Sequence, residues 1–183
     1  MKRVLCLIPA RYASSRFPGK PLADIGGRPM IQRVAEQVLK FSPDTYVVTD
    51  DARIATAVEN FGCNVVTTVE PHESGTDRCS EALRILENRF GKVFDVVLNI
   101  QGDEPFIAPE QIALLASAFD DDSTEIATLV KPIDNKEELF NPNKPKVVVA
   151  QDNSALYFSR SPIPYLRGVD ENEWHTKQNI VYV

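Results

Sequence analysis

Val4-Leu5-Cys6-Leu7-Ile8-Pro9-Ala10-Arg11-Tyr12-Ala13-Ser14-Ser15-Arg16-Phe17-Pro18-Gly19-Lys20-Pro21-Leu22 is the stretch that decides the fold. Its first half, Val4 to Ile8, is continuously apolar, the pattern of a strand buried on both faces of a parallel sheet. At Pro9 the character changes, and Arg11, Arg16 and Lys20 follow among small residues, prolines and a glycine. Open α/β sheets bind ligands just beyond the carboxyl ends of their strands, where this loop would lie. Three cations there suit a polyanion, with a triphosphate as the leading candidate. A solvated loop with scattered charges is the competing reading. It is weakened by Pro18-Gly19-Lys20-Pro21, which stiffens the backbone around Lys20 and lowers the entropy lost on ordering. The loop is not a P-loop, because Ser14 and Pro21 stand where that pattern needs Gly and Ser or Thr. The GxGxxG dinucleotide fingerprint is also absent from the sequence.

The rest of the chain alternates between strand and helix patterns. Helical spacing of Ile31, Val34, Ala35, Val38 and Leu39 follows Pro29, and Tyr46–Thr49 reads as a second strand. Asp51 is placed to cap a helix over 52–61 that Gly62 stops. Cys63–Thr68 gives a third strand, a helix opens at Ser74-Gly75-Thr76, and Phe94–Ile100 gives a fourth strand. Pro109 starts a further helix to about Phe119. Glu125–Val130 reads as another strand, and Pro145–Ala150 with Ala155–Phe158 as a hairpin over Asp152-Asn153. The expectation is one α/β domain over residues 1–183, with a mixed, mainly parallel sheet and helices on both faces. Ile180–Val183 resembles the start of a strand, which suggests an incomplete C-terminus.

Composition narrows the function. The 183 residues carry a net charge of −6, which argues against broad nucleic-acid binding and requires any phosphate grip to be local. No signal-peptide layout or membrane-length apolar run occurs, so a cytoplasmic protein without membrane partners is expected. Cys6, Cys63 and Cys79 are odd in number and widely spaced, which fits core residues rather than metal ligands or disulfides. His72 and His175 fit no Ser-His-Asp or zinc pattern and read as surface residues.

Three loops should share one rim of the sheet. Beside the Arg11–Lys20 loop stands Ser74-Gly75-Thr76, whose helix start favours an anion or an electronegative base edge. The third is Gln101-Gly102-Asp103-Glu104-Pro105, where a carboxylate directly after a buried strand is placed to hold Mg²⁺. Taken singly, the second loop could be an ordinary helix cap and the third a turn. Together they describe a site for a magnesium-bound nucleoside triphosphate.

Five motifs then resemble a known family. They are Ile8 to Leu22; His72-x-Ser74-Gly75-Thr76-Asp77-Arg78; Asn99-x-Gln101-Gly102-Asp103-Glu104-Pro105; Phe140-Asn141-Pro142-Asn143 through Lys146-Val147-Val148; and Ala155-Leu156-Tyr157-Phe158-Ser159-Arg160-x-x-Ile163-Pro164. In this order they resemble the CMP-Kdo synthetases (3-deoxy-manno-octulosonate cytidylyltransferases). The resemblance implies a Rossmann-like nucleotidyltransferase fold and the conversion of CTP and Kdo to CMP-Kdo and pyrophosphate, for lipopolysaccharide assembly. It further implies nucleotide contacts from Pro9, Ala10, Arg11, Lys20, Ser74, Gly75 and Arg78, and Mg²⁺ on Asp103. Arg16, Gln101 and Arg160 would face the sugar acid, and Lys20, Asp103 and Arg16 would serve the chemistry. Family members continue beyond the position of Val183, with a second metal-binding Asp and dimer-forming segments. A truncated chain is therefore expected, lacking parts of the family's homodimer contacts. Gln178-Asn179-Ile180-Val181-Tyr182 keeps the Tyr of a family His-Ile-Gly-Ile-Tyr pattern but not its His or Gly. The alternatives are CMP-sialate or 8-amino-Kdo cytidylyl transfer, or a chain that folds without turnover. The form Arg16-x-Pro18-Gly19-Lys20-Pro21-Leu22 favours Kdo over sialate.

Overall fold

The apolar run at the start becomes strand β1 (Val4–Pro9), in which Leu5, Cys6, Leu7 and Ile8 are all fully buried. In the computed structural model of the chain, which describes residues 2–13, 17–177 and 181–182, β1 lies inside a four-stranded parallel sheet. Its neighbours are β2 (Thr45–Thr49) and β4 (Val96–Asn99), and β3 (Asn64–Thr67) adds outside β2, giving the order β3-β2-β1-β4. The register runs Leu7 beside Tyr46 and Leu7 beside Asn99.

Alternation along β1 divides the core in two. Cys6 and Ile8 pack with helix α1 (Met30–Phe41), helix α2 (Ala52–Asn60) and Ile112 of helix α4 (Pro109–Ser117). Leu5 and Leu7 pack with Cys79, Ala82 and Leu86 of helix α3 (Gly75–Phe90) on the opposite face. Right-handed crossovers require this division, because the chain steps outward from β1 to β3 and then back across β1 to β4. The helices lie on both faces, as the alternating pattern implies. Helix α1 buries Ile31, Val34, Ala35 and Val38 at the expected spacing, and the Asp51 carboxylate caps α2 by accepting from the Arg53 N–H. The three cysteines are free and buried, and burial pushes the Cys6 and Cys79 thiols up to about 12.

The chain divides into two compact units, Met1–Glu125 and Ile126–Val183. The strand expected over Glu125–Val130 does not form: no ladder pairs it among the described residues, and strand β5 comprises only Lys131–Pro132. Apolar β-branched residues favour strand only where a neighbour completes the ladder. The second unit has its own antiparallel sheet, ordered β5-β8-β6-β7, with β6 (Lys146–Val149), β7 (Ala155–Ser159) and β8 (Val181–Tyr182). The hairpin read from Asp152-Asn153 is β6 and β7, with Asn153 in the left-handed region at φ 66°. It belongs to this sheet rather than to the parallel one. Two short helices, α5 (Lys136–Phe140) and α6 (Trp174–Lys177), are too brief to show a helical period in the sequence. Their Leu139 and Trp174 form a small core with Ile133.

Lys146 is fully buried at the start of β6, and its ammonium donates to the carbonyls of Asn141 (2.6 Å) and Arg160 (3.3 Å). Burial, helped by the nearby charge of Lys144, pulls its amine below the ordinary lysine value. Lys146→Ala removes the stem and one donor from each carbonyl, although the Asn141 carbonyl keeps the Lys144 N–H at 3.1 Å, so a loss of ~2–5 kcal/mol is expected. Urea unfolding followed by the fluorescence of Trp174, the single tryptophan, checks it.

Candidate active site

Strands β1 and β4 are neighbours in the parallel sheet, and the loops that follow them lead to α1 and α4, which pack on the same face. A crevice opens there at the carboxyl ends. Because the four strands are parallel, the loops after β1, β3 and β4 emerge on one edge, as read from the sequence. Pro9 is where they meet. A Cβ on Gly75, the first residue of α3, would lie 3.1 Å from the Pro9 ring, and one on Gly102 would lie 2.8 Å from the Pro9 carbonyl oxygen. At Gly102 only a residue without a side chain fits against the end of β1, whereas at Gly75 the Pro9 ring would have to give by a few tenths of an ångström.

A cavity of about 490 Å³ occupies the crevice. The loop after β1 lines it with Pro9, Ala10, Arg11 and Lys20, and the loop after β4 with Gln101, Gly102 and Asp103. Backbone bonds shape the first loop: Gly19 N–H donates to the Tyr12 carbonyl at 2.9 Å, and a 3₁₀ turn over Lys20–Leu22 follows. The Tyr12 ring stacks on the Arg53 guanidinium, 3.2 Å from its centroid. Lys20 Nζ donates to Asp103 Oδ2 at 2.6 Å, with the two side chains 37% and 52% exposed. Two residues read separately as phosphate grip and metal carboxylate are therefore in direct contact. Phe17 and Pro21 also line the cavity, unforeseen from the sequence because an apolar loop residue carries no chemical signal.

A smaller hollow of about 100 Å³ shares Pro9, Ala10, Arg11 and Gln101 and adds His72, Ser74, Gly75 and Arg78. Ser74 caps α3: its hydroxyl accepts from the Asp77 N–H at 3.1 Å and donates to the Asp77 carboxylate at 2.6 Å. Arg78 is buried, and its guanidinium donates to Thr68 Oγ1 (2.6 Å) and Asp50 Oδ2 (2.7 Å) while its side chain lines the hollow. His72, expected on the surface, is instead a buried side chain, 6% exposed, with Nε2 at 2.5 Å from Glu81. That carboxylate sits nine residues away on α3, a pairing no local pattern encodes. His175 is half-buried in the second unit.

Arg16 lies outside the described residues, as do Gln178, Asn179 and Ile180. Arg160 belongs to the second unit, where its guanidinium donates to the Pro142 carbonyl at 2.7 Å. Pro9, Ala10, Arg11, Lys20, Ser74, Gly75, Arg78, Gln101 and Asp103 all line the two adjoining spaces in the first unit.

The cytidylyltransferase family model matches residues 5–179. A 3-deoxy-manno-octulosonate cytidylyltransferase of Parabacteroides distasonis is 56% identical over 178 residues, covering 95% of this chain and 69% of that protein. The chain belongs to the 3-deoxy-manno-octulosonate cytidylyltransferase family. The relative of that name in Phocaeicola vulgatus is 54% identical over 171 residues, covering 92% of this chain and 66% of its own. A solved structure of CMP:2-keto-3-deoxy-manno-octonic acid synthetase complexed with CTP superposes with a TM-score of 0.83 at 42% identity, covering 98% of this chain and 70% of that one. A cytidylyltransferase from Leptospira borgpetersenii, 22% identical with a TM-score of 0.55 over 69% of this chain and 52% of that one, shares the fold. The fold is the Rossmann-like nucleotidyltransferase fold. This member of the cytidylyltransferase family spans roughly two thirds of the length of the relatives it matches. Among its described residues no helix is long and apolar enough to cross a membrane.

Proposed function

We propose that this chain transfers the cytidylyl group of CTP to Kdo, giving CMP-Kdo and pyrophosphate. One observation carries the reading: Arg11, Lys20, Gln101 and Asp103 converge on a single cavity at the carboxyl ends of β1 and β4, in a chain of this family. The anomeric hydroxyl of Kdo attacks the α-phosphorus and gives up its proton to solvent. The bond from that phosphorus to the bridging oxygen breaks, and pyrophosphate leaves with the electron pair. Arg11 and Lys20 carry fixed positive charge toward the triphosphate, where negative charge builds up in the transition state. Pro9 and Ala10 form the floor, and the Ser74–Gly75 helix start with Arg78 frames the base and ribose end.

Asp103 suits Mg²⁺: it is a hard oxygen donor, half-exposed on the cavity wall, and that ion needs only one or two protein carboxylates beside phosphate oxygens. When bound, it would neutralise phosphate charge and orient the leaving group. Lys20, already against the same carboxylate, keeps that carboxylate oriented into the cavity. Gln101 and Arg16 are assigned to the sugar acid, Arg16 to its carboxylate, with Arg160 a further candidate. Arg16→Ala is accordingly expected to raise KM for Kdo several-fold more than KM for CTP; equal rises would remove it from the sugar side.

Product analysis tests the substrate assignment. The chain is incubated with CTP, Mg²⁺ and, in turn, Kdo, 8-amino-Kdo or N-acetylneuraminate, and CMP-sugars are separated by anion exchange. CMP-Kdo as the dominant product supports the proposal, and preference for either other acid overturns it.

A further inference from the structure

Beyond β3, which ends at Thr67, the Thr68 N–H still donates to the Thr49 carbonyl at 2.9 Å, and from Val69 the chain leaves the ladder on its way to α3. Two buried side chains of α3 hold the segment from Thr68 onward. Arg78 holds Thr68 through its hydroxyl. Glu81, one turn on and 5% exposed, holds the residues after Thr68: one carboxylate oxygen accepts from the Val69 N–H at 2.9 Å. The other takes the Glu70 N–H at 3.4 Å and the His72 ring at 2.5 Å. A carboxylate withdrawn this far from water is costly unless donors replace its hydration, and here three do. Burial alone would raise the Glu81 carboxyl, but these donors outweigh it and hold it below the ordinary glutamate value. An ionised carboxylate only accepts, so the proton in the bond to His72 resides on Nε2. Glu70 is the other acidic group against His72, within 4.8 Å, while Arg11 and Arg78 line the same hollow.

We infer that Glu81 is a positioning residue of the nucleotide site: through Val69, Glu70 and His72 it fixes the segment that walls the hollow at the base end. It touches no substrate and acts through the backbone and ring it holds. The inference rests on the proposal that CTP occupies these two spaces, phosphates toward Lys20 and base toward Ser74.

Titration calorimetry with two probes, CTP and inorganic tripolyphosphate, each with Mg²⁺, tests it on the parent chain, Glu81→Gln and His72→Asn. Glu81→Gln keeps the volume of the side chain, and His72→Asn lies outside the helix, so one remains informative if the other fails to fold. Both variants are expected to weaken CTP by ~10-fold or more while leaving tripolyphosphate within about twofold, because Arg11 and Lys20 hold the phosphate end. Equal weakening of both probes would reveal a general structural role and overturn the inference, as would unchanged CTP affinity. A parent chain that binds tripolyphosphate but not CTP would overturn the nucleotide assignment itself, and this inference with it.

Discussion

Lys20→Ala and Asp103→Ala are each expected to lower kcat/KM for cytidylyl transfer by at least ~10²-fold, the scale of one lost transition-state stabiliser. Neither should move the urea midpoint appreciably. The two side chains are 37% and 52% exposed, and an ion pair that open to water contributes only about 0–1 kcal/mol to folding. The pair is therefore weak as a structural device, yet it is built from a proline-stiffened loop and a glycine-closed turn on two different strands. A charge pair that adds little to stability but sits on a cavity wall between two ligand-binding loops is explained by what the cavity holds. Steady-state kinetics beside equilibrium unfolding separates the two roles. A rate within a few-fold of the parent would remove either residue from the chemistry.

Gly102→Ala is the second large effect, and it acts through backbone. The new methyl would stand 2.8 Å from the Pro9 carbonyl oxygen, with Ile31 Cδ1 and Ile8 Cγ2 at 3.4 and 3.6 Å on its other sides. The isoleucine ends can shift; the carbonyl of a residue inside the β1 ladder cannot do so without moving the strand. The loops after β1 and β4 must therefore separate, at a cost of ~1–3 kcal/mol. Because those loops carry Lys20 and Asp103, their separation also spoils the cavity, and kcat/KM should fall by ~10²-fold, since small misplacements of reacting groups are that costly. Unfolding and kinetics on the purified variant check both halves. A variant with parental stability would show that the end of β1 yields more easily than this packing implies.

Much of this was legible in the residues. Val4–Ile8 could be read as a doubly buried strand because apolar side chains fill both faces without alternation. Once the sheet was parallel, its geometry alone carried the Lys20, Ser74 and Asp103 loops to one rim. What remained hidden depends on partners remote in sequence. Nothing local to Glu81 signals the 68–72 segment that folds over it, and His72 reads as exposed for the same reason. Arg78 lines the hollow, and nothing local signals that its guanidinium also donates to Thr68 and Asp50, residues just beyond other strands. Nothing local to Lys146 signals that the turn at Asn141 and the residue after β7 close over its amine. Glu125–Val130 has strand composition without a neighbour to pair it, and composition says nothing about neighbours.

Pyrophosphate release by the 183-residue chain with CTP and Mg²⁺, measured with and without Kdo, tests the central claim most directly. Release is expected to depend on Kdo and to match the CMP-Kdo formed one for one. Release that ignores Kdo, or none from a chain that binds CTP, would contradict it.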